Sequence, residues 1–309
     1  MANSIRIIEV GPRDGLQNEA QRLSLKVRKE LVLRLGRAGL KIIEVGAFVS
    51  SKWVPQMQES GELITELFES QRCGELGKKI RISALVPNFR GMEDAVRTEL
   101  RDIAIFGSCS EGFSKKNINC SIAESFDRFR QVIKEAKTRK IKVRGYLSTA
   151  FGCPYDGYVD PGYVVKLATA LLELGVYEVS IGDTIGVASP RQVEILLKKI
   201  LKKIPARRLA MHFHDTRGTA LANVAKSYEL GIRSFDSSVG GLGGCPYAKG
   251  ASGNLATEDL VYMMHAMGVR TDVDLEGLIE TKRWIEPIIG RRLLSHVGQA
   301  GLPLPGTIR

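Results

Sequence analysis

The sequence contains no run of about 18 apolar residues, the length a bilayer-spanning helix needs, which excludes a helical membrane span. It contains no C-x-x-C pair. Its five cysteines, Cys73, Cys109, Cys120, Cys153 and Cys245, are odd in number and scattered. That pattern excludes a disulfide framework and a paired thiolate zinc site, and it implies free thiols in a reducing compartment. No apolar leader precedes the first strand-like run, and the final Gly306-Thr307-Ile308-Arg309 carries no peroxisomal or lipidation signal. The expected location is therefore the cytoplasm. The glycine fingerprint of a dinucleotide site is also missing: Gly11-Pro12-Arg13-Asp14-Gly15 stands after the first strand-like run instead. There is no basic-aromatic cluster either. The net charge of +11 then reads as solvated residues on helix faces, such as Lys198-Lys199 and Lys202-Lys203, with no nucleic-acid surface expected.

What is present is an ordered alternation. The 309 residues are 44% hydrophobic and 26% charged, enough to bury a large core without a disulfide or structural metal. Strand-like runs lie at residues 5–10, 41–45, 81–85, 102–106, 142–147, 178–181, 208–212 and 234–237. Helix-period stretches separate them, each with its own start or stop signal. Residues 24–38 open on Ser24 and stop before Gly39, and Ser121 with Glu124 forms a capping box. Asp160-Pro161 and Ser189-Pro190 open two more helices, and Gly175 and Gly231 end helices. Strand and helix in strict alternation imply parallel strands joined by helical crossovers. Eight such pairs predict an α/β fold, a TIM (β/α)8 barrel. The expected organisation is one domain over residues 1–309. Its barrel core covers about 1–253, and a helical extension over about 254–309 covers one end.

Each polar cluster follows a strand-like run, and in a parallel barrel those ends share the face where active sites lie. Arg13-Asp14 follows the first run, Glu44 ends the second, Asp183 follows the sixth, and His212 and His214 end the seventh. In Met211-His212-Phe213-His214-Asp215 the two imidazoles stand two apart, so on a strand both face the barrel mouth. They are two of only four histidines, and with the carboxylates nearby a ligand pair outweighs two idle polar histidines. Asp14 reads as a further ligand and Arg13 as a fork for a carbonyl or carboxylate oxygen, against a local ion pair. The loop Val239-Gly240-Gly241-Leu242-Gly243-Gly244-Cys245-Pro246-Tyr247 reads as a mobile cover with a proton-donating or nucleophilic thiol, against a turn with an idle one. Asn254 either caps the next helix or lends its amide oxygen to a metal. One carboxylate, two imidazoles and one amide oxygen, with no thiolate, suit Mg2+ or Mn2+. Zn2+ and Co2+ also fit, and availability favours the first two.

Longer stretches carry a resemblance. Val10-Gly11-Pro12-Arg13-Asp14-Gly15-Leu16-Gln17, Lys52-Trp53-Val54-Pro55-Gln56-Met57, Lys116-Asn117-Ile118-Asn119-Cys120-Ser121, Gly152-Cys153-Pro154-Tyr155, Gly182-Asp183-Thr184-Ile185-Gly186 and the Cys245 loop are similar, nearly end to end, to the hydroxymethylglutaryl-CoA lyase family of the DRE-TIM metallolyase group. The resemblance implies a divalent cation held by Asp14, His212, His214 and Asn254. It implies Arg13 against a developing thioester enolate, Glu44 orienting water or groups behind the ligands, and Asp183 supporting the cluster. Gln17 and Asp183 would border substrate, and Cys245 would donate or shuttle a proton. The implied reaction is metal-dependent cleavage of 3-hydroxy-3-methylglutaryl-CoA to acetyl-CoA and acetoacetate. Related condensing synthases share Arg-Asp-Gly and His-x-His but carry a glutamate-containing sequence in place of Gly244-Cys245-Pro246. One position departs: Ala47 precedes Phe48 where the family usually has serine, which leaves open a lyase for a related 3-hydroxyacyl-CoA. Lys115 and Lys116 are candidate contacts for CoA phosphates, with a solvated pair as the alternative. A homodimer is one assembly the chain leaves open.

Overall fold

The structure, a computed structural model, describes residues 3–244 and 253–303. Among these residues the elements are β1 (Arg6–Glu9), α1 (Leu25–Arg37), β2 (Ile42–Ala47), α2 (Ser60–Cys73), β3 (Arg81–Leu85), α3 (Phe89–Ala95), β4 (Asp102–Ser108), α4 (Glu111–Ile118), α5 (Ile122–Thr138), β5 (Lys142–Ser148), α6 (Pro161–Leu174), β6 (Val179–Asp183), α7 (Pro190–Ile200), β7 (Leu209–Phe213), α8 (Ala220–Glu229), β8 (Ser234–Ser237), α9 (Thr257–Ala266), α10 (Leu275–Ile289) and α11 (His296–Ala300). Each strand pairs in parallel with the next, and β8 pairs back with β1, so the sheet closes into a TIM barrel. All eight strand-like runs of the sequence are barrel strands, with ends displaced by no more than two residues.

The local chemistry explains these elements. Every residue of β2, Ile42-Ile43-Glu44-Val45-Gly46-Ala47, is buried, as a strand covered on both faces must be. Ser24, Ser121, Asp160 and Ser189 accept backbone N–H groups at the starts of α1, α5, α6 and α7, and Ser121 and Ser189 complete capping boxes with Glu124 and Gln192. Gly175 ends α6 at a φ of 115°, where a side chain would be strained. Apolar side chains such as Ile43, Leu63, Ile64, Leu147 and Phe213 fill the space between barrel and helices. α10 packs on α1, α9 and the turn Val239–Gly241 that leaves β8, so part of the extension meets the site end of the barrel.

Two features differ from the sequence pattern. The Gly11–Gly15 stretch is not a plain loop but one wide π-type turn, closed by the Gly15 N–H on the Val10 carbonyl at 3.1 Å. And α9 begins at Thr257, so Asn254 is not its cap. Residues 253–255 lie across the ends of β7 and β8 instead. Asp215 N–H donates to Gly253 O (3.0 Å), Leu255 N–H to Phe213 O (3.0 Å) and Ser238 N–H to Leu255 O (2.9 Å). Backbone pairing to two strand ends satisfies more donors than one side-chain cap, and it fixes Asn254 opposite His214. No helix of the described residues is long and apolar enough to cross a membrane. Cys73, Cys109, Cys120 and Cys153 are free.

Candidate active site

The π turn lifts Arg13 and Asp14 to the mouth beside β7. Candidate ligand atoms of Asp14, His212 and His214 lie within 4.8 Å of one another, from positions about 200 residues apart in the chain. His212 Nε2 is 3.9 Å from Asp14 Oδ2. Asn254 joins them: its Nδ2 donates to Asp14 Oδ2 at 2.8 Å and to Leu242 O at 3.1 Å. Its Oδ1 is buried and has no hydrogen-bond partner among the described residues. A buried amide oxygen left unpaired is costly, and a cation between it, the carboxylate and the imidazoles would remove that cost. The donor set and this unpaired oxygen therefore fit a divalent ion.

Both imidazoles are oriented from behind. His214 Nδ1 donates to the Asp183 carbonyl (3.0 Å) and His212 Nδ1 to Asp236 Oδ2 (3.2 Å), so in the neutral rings both Nε2 atoms can offer a lone pair to a cation. Burial, reinforced by neighbouring His212, brings the His214 pKa down to about 4, so the ring is neutral at pH 7. For His212 burial acts in the same direction, but the hydrogen bond and charge of Asp236 and the charge of Asp14 prevail and raise it. Burial opposes ionisation of Asp14 as well. Arg13 and the two imidazoles overcome it and hold the carboxyl at about 2.

Arg13 is almost wholly buried. Its Nε donates to Glu44 Oε1 and its Nη1 to Asp14 Oδ1 (2.6 Å), and the guanidinium lies 5.4 Å from the Tyr146 ring centre. The second Glu44 oxygen accepts the Tyr146 hydroxyl at 3.0 Å. Glu44 thus has both oxygens engaged and anchors Arg13. Asp183 sits behind His214: its carboxylate accepts the amides of Val187 and Ala188 at 3.0 Å each, and burial lifts its pKa to about 6. Gln17, partly exposed, stands two residues beyond the π turn, and Lys115 and Lys116 are exposed in the last turn of α4.

Cys245 lies outside the described residues. The segment leading to it is anchored over the cluster. Glu9 Oε1 accepts the amides of Gly11 (2.8 Å) and Val239 (2.9 Å), and the Glu258 carboxylate accepts Gly240 N–H. Asn18 Nδ2 donates to Gly244 O at 2.7 Å. A Cβ at Gly243, whose φ is 111°, would stand 2.6 Å from Asn254 Nδ2, so only glycine lets the chain pass this close. Burial raises Glu9 to about 7 and Glu258 to about 8.

The residues that sequence reasoning missed are Tyr146, Arg144, Asp236, Glu9 and Glu258. A usable signal existed for the first three. A polar residue inside a strand of a closed parallel barrel is buried whichever face it takes, and Lys142-Val143-Arg144-Gly145-Tyr146 and Ser234-Phe235-Asp236-Ser237 carry such residues.

Comparison with known proteins agrees with this geometry. The profile of the HMGL-like family matches residues 4–285. "Hydroxymethylglutaryl-CoA lyase" of Pseudomonas mevalonii is 48% identical over 297 residues, covering 96% of each chain. The crystal structure of hydroxymethylglutaryl-CoA lyase from Pseudomonas aeruginosa superposes with a TM-score of 0.91 at 44% identity, over 97% of this chain and 98% of that one. An HMG-CoA lyase from Acenitobacter baumannii, solved in complex with coenzyme A and 3-methylmalate, gives 0.90 at 34% identity, over 98% and 97%. With its closed barrel, its Asp-His-His-Asn cluster and these full-length matches, the chain belongs to the HMGL-like family, that of the hydroxymethylglutaryl-CoA lyases.

Proposed function

We propose that this protein is a carbon–carbon lyase that cleaves 3-hydroxy-3-methylglutaryl-CoA to acetyl-CoA and acetoacetate, with a divalent cation bound by Asp14, His212, His214 and Asn254. The observation that carries the reading is the meeting of Asp14, His212 and His214, next to an unpaired Asn254 oxygen, directly beside Arg13. When bound, the cation, Mg2+ or Mn2+ in our reading, supplies Lewis acidity to the substrate's tertiary hydroxyl and a fixed point for its orientation.

The side chains then divide the work. The hydroxyl proton passes to a base; of the two candidates, Asp14 and His212, Asp14 keeps a lone pair free, because His212 faces Asp236 through Nδ1–H and would face the cation through Nε2. The C2–C3 bond breaks, its electron pair moves into the thioester enolate, and the alkoxide carbon becomes the ketone of acetoacetate. Arg13 is held by Glu44 and Asp14 before substrate arrives, so its charge meets the enolate oxygen without reorganisation, an effect worth roughly 3–4 kcal/mol. Cys245, which follows the segment tied at Leu242 and Gly244, returns a proton to C2. Exposed Lys115 and Lys116 are the candidate contacts for CoA phosphates in this reading. Cytoplasmic action, in keeping with the free thiols, belongs to the same proposal.

Cys245→Ser is expected to retain metal content and melting temperature while losing most turnover; normal turnover in that variant would remove the thiol from the mechanism. The function itself is tested with a small CoA-ester panel assayed in both directions. Cleavage of the 3-hydroxy-3-methylglutaryl ester, without condensation of acetyl-CoA onto 2-keto acids, is the expected result. Condensation activity alone would establish the synthase reading, and preference for another 3-hydroxyacyl ester would trace to Ala47.

A further inference from the structure

The barrel interior holds a row of alternating charges that the proposed reaction does not use. Asp236 on β8 is wholly buried. Its Oδ1 accepts Arg144 Nη2 at 2.7 Å, and its Oδ2 accepts the Ser180 hydroxyl at 2.6 Å, Arg144 Nη1 at 3.2 Å and His212 Nδ1 at 3.2 Å. Arg144, equally buried, passes its Nε to Glu178 Oε1 at 2.8 Å, and Glu178 pairs with Arg6 at the opposite rim. A row of ions through a barrel is an expensive filling. Branched apolar side chains are the usual content, and replacing buried ion pairs with them is often neutral or stabilising. The row therefore needs an account beyond packing, and it ends at His212.

The contacts fix what Asp236 does there. Arg144, which has no acceptor, donates to both Asp236 oxygens and keeps the carboxylate ionised, so the Ser180 hydroxyl and His212 Nδ1 are donors to it. In the neutral ring Nε2 then carries its lone pair on the side of Asp14. His214 is held differently, by the neutral carbonyl of Asp183. A carboxylate behind an imidazole makes its far nitrogen a stronger donor than a peptide carbonyl does.

We propose that Asp236, clamped by Arg144 and Ser180, is a positioning residue for the divalent-cation site: it locks His212 in the Nδ1–H form and strengthens Nε2 as a ligand, without touching cation or substrate. The inference rests on the reading of His212 as a ligand, and the experiment separates the two.

Metal-stripped Asp236→Asn is titrated with Mn2+ alone, and the free ion is followed by electron paramagnetic resonance. The expected loss of affinity is roughly 10–100-fold. Because this variant leaves Arg144 short of one partner, Arg144→Gln/Asp236→Asn, which removes both charges and leaves Glu178 with Arg6, is measured beside it and is expected to lose as much. Imidazole 15N spectra of the Mg2+-loaded wild-type protein give a readout that needs no variant. His212 is expected to carry a solvent-protected proton on Nδ1, and either folded variant to lose that protection while His214 keeps its own. Wild-type Mn2+ affinity in either folded variant, or a wild-type His212 without the Nδ1 proton, would overturn the inference. His212→Ala separates the premise. If it leaves Mn2+ binding intact, the ligand reading falls and the inference with it. If it weakens binding while Asp236→Asn does not, only the role of Asp236 falls.

Discussion

Arg13→Gln will lower kcat and kcat/KM together by about two to three orders of magnitude while the divalent cation stays bound, as expected for loss of a single preorganised donor. Arg13 is already held in place by its neighbours. Its Nε and Nη1 are committed to Glu44 and Asp14, and Tyr146 lies against its face. These contacts set the orientation of a buried guanidinium before substrate binds. Glutamine is neutral and shorter, so it offers the enolate neither charge nor a fork, and the interaction lost is one made chiefly in the transition state. The variant will also melt at lower temperature, since Glu44 loses its buried counter-charge and breaking such a pair costs about 3–5 kcal/mol. Steady-state kinetics and elemental analysis on the same folded sample check the prediction. A kcat within tenfold of wild type would take Arg13 out of the enolate's path.

His214→Ala is the second large effect, and it acts on the metal before the chemistry. His214 is buried, its ring is neutral at pH 7, and its Nδ1 is tied to the Asp183 carbonyl. It therefore has no proton to shed on binding a cation at pH 7. Removing it leaves Asp14, His212 and the Asn254 amide oxygen, three protein donors in place of four. Metal retention after gel filtration is expected to fall further than the roughly 10–100-fold typical when only an orienting partner is lost, and turnover is expected to fall with it. Metal content equal to wild type, measured by elemental analysis, would refute the ligand role. The proton balance gives a direction for pH as well. Asp236 and Asp14 raise the His212 pKa against the effect of burial, so apparent metal affinity will weaken as pH falls through the titration of that ring.

Much of this was legible because barrel geometry turns chain order into spatial order. Strands of a closed parallel sheet all present their C-terminal ends to one face. Once the alternation of runs identified eight strands, Asp14, Glu44, Asp183, His212 and His214 were bound to converge near that face. The two-residue spacing of the histidines carried their shared direction. Asn254 was harder. Its position ahead of a helical run reads equally as a cap, and only the backbone pairing of residues 253–255 to the ends of β7 and β8 explains why it faces His214. The role of Glu44 also depends on distant partners. Its short bond to Arg13 and the hydroxyl of Tyr146, 102 residues later, are tertiary contacts that no local spacing encodes. The same holds for Asp236 and Arg144, whose charge inside a strand was visible and whose partners were not. The π turn at Gly11–Gly15 left no periodic signature because it is a single turn, yet it carries Arg13 and Asp14.

The central claim is that a cation held by these four side chains is required for carbon–carbon cleavage. Acetoacetate release from 3-hydroxy-3-methylglutaryl-CoA, followed by a coupled assay on chelator-stripped protein before and after adding back Mg2+ or Mn2+, tests it most directly. Release at background level when stripped, restored in full by the added ion with one acetyl-CoA per acetoacetate, is the predicted result. Undiminished release from protein shown by elemental analysis to be free of metal would contradict the account.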